Sequence, residues 1–213
     1  MDQISPYLPG ILLAYSAFLL GIASPGPNVL AVMGTSMSVG RASGIALALG
    51  VATGSFTWAV LTVLGLSALL AAYASALIVI KILGGLYLLW LAFKAFRSAL
   101  AHRDIETRAL EGESRTAFGY VARGYVIQMT NPKAALSWIA IISLGLQEGA
   151  PFWVGAVIVL GTFALSILLH VLYAVMFSTS TMVRIYGRAR RGIQAVLGTF
   201  FAIAGLKLLT ARN

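Results

Sequence analysis

The sequence has no cysteine and few charged residues. Without cysteine, disulfides, thiolate catalysis and cysteine metal sites are all excluded. Only 10% of the 213 residues are charged, against about a quarter in soluble domains. Six residues are acidic and two are histidine, so the clustered acids, bases or metal ligands of an enzyme are scarce. We therefore predict a protein that is not an enzyme and has no cofactor or metal.

Long apolar runs dominate what is present. No charged residue lies between Asp2 and Arg41, between Arg41 and Lys81, or between Glu148 and Arg184. Each run exceeds the ~18 to 20 residues that cross a bilayer, which predicts an integral membrane protein in contact with lipid. The net charge of +9 comes from basic residues between these runs, as in membrane proteins, so no nucleic acid partner is predicted.

Glycine, proline and charge clusters divide these runs into six predicted transmembrane helices. They cover residues 8–34, 44–68, 76–96, 118–146, 152–177 and 192–210. The connections after helices one, three and five hold ten basic residues, and the opposite side holds two. Because basic loops stay in the cytoplasm, both termini are predicted outside.

The two halves of the chain resemble each other. Residues 1–97 form a predicted first three-helix repeat, residues 98–117 a charged cytoplasmic loop, and residues 118–213 a second repeat. The third and sixth helices contain GLYLLWLAFK and GTFFAIAGLK, and a proline motif interrupts the first helix of each half. Because each half has three spans, the second is inverted. The predicted fold is an all-α membrane protein with an inverted 3+3 repeat and proline-broken helices 1 and 4, as in many secondary transporters.

The first proline motif is SPGPN, where Pro25 and Pro27 flank Gly26 and precede Asn28. Each proline removes a backbone donor and disrupts the local helical hydrogen bonds. Irregular backbone at membrane depth is tolerated where protein covers it or where it lines a wet cavity. Two interpretations stay open here: a kink that shapes helix packing, and a break that exposes backbone to a ligand.

The second motif is NPK, formed by Asn131, Pro132 and Lys133. Lys133 lies ~12 Å beyond Tyr125, the predicted cytoplasmic entry of its helix, at 1.5 Å per residue. A charged side chain at that depth costs about 3 kcal/mol or more unless it is paired. The predicted spans contain no acidic residue. Its partner is therefore freed backbone carbonyls, water, or a bound anion such as a substrate carboxylate.

His170 is the only histidine in a predicted span, and Ser166 precedes it by one turn. Imidazole titrates near neutral pH, which makes His170 a candidate proton relay. The alternative is a hydrogen-bonded scaffold residue with no part in transport.

Three segments, SPGPN, GGLYLLWLAFKAFR and FGYVARGYVIQMTNPKAALSW, resemble the LysE/RhtB family of bacterial amino-acid exporters along nearly the whole chain. The resemblance implies an efflux carrier for amino acids in the bacterial inner membrane. The resemblance implies that basic-amino-acid exporters of the family have an aspartate directly after the glycine that corresponds to Gly54. This chain has Ser55 at that position. The expected substrates are therefore neutral amino acids such as homoserine or threonine. The predicted substrate-binding or gating residues are Pro25, Gly26, Pro27, Asn28, Asn131, Pro132 and Lys133.

The energy source is predicted to be a gradient, because the sequence has no GxxxxGK[ST] phosphate loop for ATP. A small-solute channel or a structural membrane scaffold is the alternative function. The sequence leaves open whether the chain forms a homo-oligomer.

The predicted topology can be tested by cysteine labelling, since there is no native cysteine to interfere. Cysteines introduced at Ser98 and at Ser178 should react with a membrane-impermeant maleimide only after the inner membrane is opened. Labelling of either position in intact cells would contradict the orientation.

Overall fold

The computed structural model of this chain describes residues 5–24, 26–72, 76–100, 116–146 and 149–210. Pro25 and most of the predicted loop 98–117 lie outside these ranges. Regular structure within them is entirely helical. The helices are α1 (Leu8–Ala23), α2 (Pro27–Ser38), α3 (Arg41–Ala72), α4 (Ala76–Leu100), α5 (Ala117–Met129), α6 (Pro132–Gly145), α7 (Phe152–Met176) and α8 (Ser180–Thr210).

Four of the described helices are long and apolar enough to cross a membrane. The qualifying segments are Arg41–Gly65, Ile82–Leu100, Phe152–Met176 and Arg184–Thr210. The pair α1 and α2, bent by 50°, makes a fifth if it is counted as one span, whereas α6 is a shorter apolar helix. The chain is therefore a multi-pass helical membrane protein, and the six-span arrangement stays a prediction.

Both proline motifs interrupt their helix, as predicted. Helix α1 ends at Ala23 and α2 begins at Pro27, while α5 ends at Met129 and α6 begins at Pro132. Each new helix therefore starts with proline, at a position where the missing amide would have no helical partner anyway. The predicted first and fourth helices are thus each two separate helices.

The predicted start of the last helix is wrong. The sequence interpretation placed the basic cluster in a loop and began the helix at residue 192, whereas α8 begins at Ser180. The four arginines of this cluster lie on the helix. They are Arg184, Arg188, Arg190 and Arg191. Arginine is a good helix former and this segment has no proline, so a charge cluster is not by itself a helix end.

Three other helices also exceed their predicted bounds, and the first of these, predicted at 8–34, continues in α2 to Ser38. Helix α3 covers 41–72 where 44–68 was predicted, and α4 continues to Leu100, four residues past the expected end. The beginning of the predicted loop 98–117 is therefore helical. Arg190 of α8 donates to the Ser98 hydroxyl at 3.0 Å, which joins this end of α4 to α8.

Helices α4 and α8, the last helices of the two predicted repeats, pack along each other through glycine. A Cβ atom on Gly205 would lie 2.9 Å from the Gly85 carbonyl oxygen. Such contacts let two backbones approach closely where no larger side chain would fit. The buried side chains around this crossing include Tyr87, Leu88 and Phe201.

Glycines of α3 bring it close to α5. A Cβ atom on Gly50 would collide with the carbonyl oxygen of Val121, and one on Gly124 with that of Leu47. Further along, a Cβ atom on Gly54 would lie 2.9 Å from Cβ of Gln128. Gly50, Gly54 and Gly124 thus allow close contact between the two helices. The contact fixes the end of α5, and with it the second helix break, against α3.

We expect Gly50→Ala to destabilise the protein by about 1–3 kcal/mol, because the new methyl group meets backbone that cannot move aside. Gly65→Ala in the same helix is the matched control, since its Cβ would meet nothing within 4 Å. The thermal unfolding midpoint in detergent should fall for Gly50→Ala and not for Gly65→Ala. Equal midpoints would contradict the close α3–α5 contact.

Candidate functional site

The two helix breaks lie side by side. The Lys133 ammonium, at the start of α6, donates to the Ser24 carbonyl oxygen beyond the end of α1 at 2.9 Å. A Cβ atom on Gly26 would lie 3.3 Å from Cδ of Lys133 and 3.1 Å from Oδ1 of Asn28. The structure thus brings predicted site residues from both halves into one place. Pro25, also predicted for this site, lies outside the described residues.

The Ser24 carbonyl accepts this bond because it lies at the helix break. The next helix begins at Pro27, and Ser24 itself has extended geometry with ψ of 105°. Its oxygen is therefore a freed carbonyl of the opposite break, one of the three partners expected for Lys133. None of the acidic residues of the sequence lies within the described ranges. Within these ranges the ammonium therefore has no carboxylate partner.

The two breaks differ in their helix caps. The Asn131 side chain accepts from the Lys133 backbone amide at 3.0 Å and caps the N-terminus of α6. The corresponding position of α2 is Gly26, which has no side chain to offer. The N-terminus of α2 is therefore left uncovered by its own cap residue, and Lys133 lies directly beside it.

A second hydrogen bond joins the breaks. The Asn28 amide nitrogen at the start of α2 donates to the Gln128 side-chain oxygen near the end of α5 at 2.9 Å. Gln128 is buried, and its backbone carbonyl accepts from the Trp58 indole at 3.2 Å. The sequence interpretation missed Gln128, although a glutamine three residues before NPK in an apolar span was the signal that could have identified it.

Aromatic side chains from α4 and α6 support this arrangement. The Tyr87 hydroxyl donates to the Lys133 carbonyl oxygen at 3.0 Å, which ties α4 to the first turn of α6. The Trp138 indole donates to the Ser55 hydroxyl oxygen at 3.3 Å and so joins α6 to α3. The sequence analysis did not assign either aromatic residue to the site.

A cavity of about 50 Å³ lies at this junction, room for a few water molecules. Its polar lining side chains are Asn28, Ser55, Gln128, Asn131, Lys133, Ser137, Trp138 and His170. Lys133 is the formally charged residue among those lining it. The N-termini of α2 and α6 add partial positive charge, and the C-terminal carbonyls of α1 and α5 add partial negative charge. The junction therefore offers separate places for an anionic and a cationic group.

His170 joins this cavity from α7. Its side chain is 1% exposed, and its Nδ1 lies 2.9 Å from the Ser166 carbonyl oxygen and 3.2 Å from the Ser166 hydroxyl. The predicted neighbour one turn earlier is therefore its hydrogen-bond partner. That it lines the same cavity as Lys133 and Asn28 could not be deduced from spacing along the chain.

We expect the Asn28–Gln128 bond to appear as a coupling energy of about 0.5–1.5 kcal/mol in a double-mutant cycle. The variants are Asn28→Ala, Gln128→Ala and their combination, each unfolded in detergent. Strict additivity of the two destabilisations would show that the bond contributes nothing. The pair Asn28→Ala and Gly65→Ala, far apart in the fold, serves as the additive control.

The fold and this junction define a multi-pass membrane protein whose broken helices meet at a partly buried lysine, a plan typical of transporters. Comparison with known families gives the particular class. The family model for LysE type translocators matches residues 19–212, and the chain belongs to this family. The expected family is thereby confirmed, and it is a family of transporters, not of enzymes.

Individual relatives are similar over most of their length. The uncharacterized membrane protein YahN of Escherichia coli is 29% identical over 210 residues, covering 98% of this chain and 93% of that protein. The threonine efflux protein of Salmonella typhimurium is 28% identical, covering 91% and 94% respectively. The leucine efflux protein of Klebsiella pneumoniae is 31% identical over 61% of each chain. No solved structure matches the chain significantly.

Proposed function

We propose that this protein is a secondary transporter that exports neutral amino acids, such as homoserine or threonine, across the bacterial inner membrane. The observation that carries the proposal is the partly buried ammonium of Lys133 at the meeting point of two broken helices. Such helix breaks bind zwitterions and ions in other carriers. Membership of a translocator family and relatives named for threonine and leucine efflux support the same conclusion.

The substrate carboxylate would bind at Lys133 and the N-terminus of α2. An ammonium group has three donors, and the bond to Ser24 uses one of them. Gly26 leaves the N-terminus of α2 without a side-chain cap. The substrate ammonium would lie toward the carbonyls at the ends of α1 and α5, where helix dipoles favour a cation.

A neutral side chain fits the cavity better than a cationic one. Ser55 lines the cavity. It stands at the position where the pattern of the basic-amino-acid exporters has an aspartate. With Lys133 as the charged lining residue, a second cation would lack an anionic partner there. This arrangement supports a neutral substrate.

Transport would occur by alternating access of two inverted three-helix repeats in a six-span topology with both termini outside. The two bonds between the breaks join different pairs of half-helices: Lys133 to Ser24 joins α6 to α1, and Asn28 to Gln128 joins α2 to α5. Opening one pair while the other stays closed would expose the cavity to one side at a time. His170 remains the candidate proton relay.

Counterflow in proteoliposomes tests this function. Vesicles containing the purified protein and unlabelled threonine should accumulate external labelled threonine transiently, because a carrier exchanges substrate across the membrane. Flux that neither saturates nor responds to internal substrate would indicate a channel. Absence of any flux for a panel of neutral amino acids would indicate a scaffold.

In the same assay, Lys133→Met should reduce the affinity for amino acids by roughly tenfold or more, since a charge-assisted contact with the carboxylate is lost. Amino-acid amides, which lack the carboxylate, should be affected much less. Lys207→Met, at an exposed position of α8, is the matched control and should leave both classes unchanged. Equal losses for acids and amides would make Lys133 a structural anchor of the breaks.

A further inference from the structure

One polar atom in the cavity lining has no partner. The Nε2 atom of His170 is buried and makes no hydrogen bond to any residue that the structure describes. Leaving a buried polar atom unpaired costs about 1–3 kcal/mol. Such an atom in a native site needs an explanation, and here it belongs to a residue that lines the cavity.

The protonation state of this ring follows from its other nitrogen. Nδ1 lies 2.9 Å from the Ser166 backbone carbonyl, which can only accept, so the neutral ring carries its proton on Nδ1. Nε2 is then a hydrogen-bond acceptor. The ring is held by the preceding turn of α7 and needs no change of rotamer to receive a donor.

A matching donor lines the same cavity. The Ser55 hydroxyl oxygen accepts from the Trp138 indole at 3.3 Å, and its own proton has no acceptor among the described residues. Ser55 and His170 are not hydrogen-bonded to each other. The cavity lining therefore includes the Ser55 hydroxyl proton on α3 and the Nε2 atom of His170 on α7, and neither has a partner among the described residues.

We propose that His170 and Ser55 form a subsite for a hydroxyl group on the substrate side chain. The hydroxyl would donate to Nε2 of His170 and accept from the Ser55 hydroxyl, so both unused groups would be paired by one substrate atom. The inference rests on the proposed function, because it takes the transported amino acid to lie with its carboxylate at Lys133. It makes His170 and Ser55 the residues that distinguish hydroxylated amino acids from apolar ones of equal size.

The chemistry of a buried acceptor gives this discrimination its direction. Valine has the shape of threonine with a methyl group in place of the hydroxyl, so it would leave both Nε2 and the Ser55 proton unpaired. Sites built to bond a substrate hydroxyl reject the analogue that lacks it far more strongly than apolar pockets separate similar shapes. Water in the cavity could pair the same groups, but it would give no preference between the two amino acids.

The test compares initial export rates of threonine and valine by purified protein in proteoliposomes. The wild type should favour threonine in kcat/KM by roughly tenfold or more. His170→Asn retains a polar atom near Nδ1 and loses the one at Nε2, so the preference should fall by about tenfold. His170→Gln places an amide oxygen near Nε2 and should retain most of the preference. Ser55→Ala should lower it by several-fold.

Thr53→Ala is the control variant. Thr53 is an exposed residue of α3 whose hydroxyl donates to the Leu49 carbonyl of its own helix, so the preference of this variant should equal that of the wild type. If His170→Asn does not fold, the wild-type ratio and Ser55→Ala decide alone.

Equal transport of threonine and valine by the wild type would overturn the subsite while leaving the exporter function intact. The subsite would also be overturned if His170→Asn lowered the transport of threonine and of valine by the same factor, as the loss of a purely structural residue would. Absence of export of any neutral amino acid would instead contradict the proposed function itself.

Discussion

The bond between the Lys133 ammonium and the Ser24 carbonyl is the contact on which the site depends. Two helices are broken in apolar surroundings, and each break frees backbone groups that lipid cannot pair. The partly buried Lys133 ammonium in turn needs an acceptor. The hydrogen bond of 2.9 Å pairs this ammonium with the freed Ser24 carbonyl and places the two breaks in contact. The cavity exists because two irregular segments share this junction.

Close helix packing determines where the junction can lie. The glycine contacts of α3 with α5 hold the end of α5 in a fixed position. Gln128 is part of this contact, because its Cβ lies against Gly54. On the other side, a Cβ atom on Gly10 would lie 2.9 Å from the Gly145 carbonyl oxygen, which brings α1 against α6. Backbone contacts of this kind are sensitive to a single methyl group. The polar residues of the site are therefore positioned by small residues that take no part in its chemistry.

The sequence predicted those features that follow from local chemistry. Proline placed both helix breaks correctly, because a missing amide and a ring clash act within one turn. The lack of a carboxylate partner for Lys133 among the described residues followed from the absence of acidic residues in the apolar runs. The continuous helix through the arginines of α8 was not predicted. The charge cluster was interpreted as a helix boundary, and the intrinsic helix preference of arginine was ignored. Gln128 and Tyr87 were missed for a different reason: their importance comes from partners some 100 and 46 residues away, and no local pattern encodes those contacts.

The pairing of Lys133 within the protein has a consequence for the unloaded carrier. If the ammonium had no internal partner, the empty site would carry an uncompensated charge, and the protein could change sides only with substrate bound. Such a protein would be restricted to exchanging one substrate molecule for another. If the protein transports as proposed, the Ser24 carbonyl would give the Lys133 ammonium a partner whenever no substrate carboxylate is bound, and the carrier could return without cargo. Net efflux would then need no substrate on the receiving side.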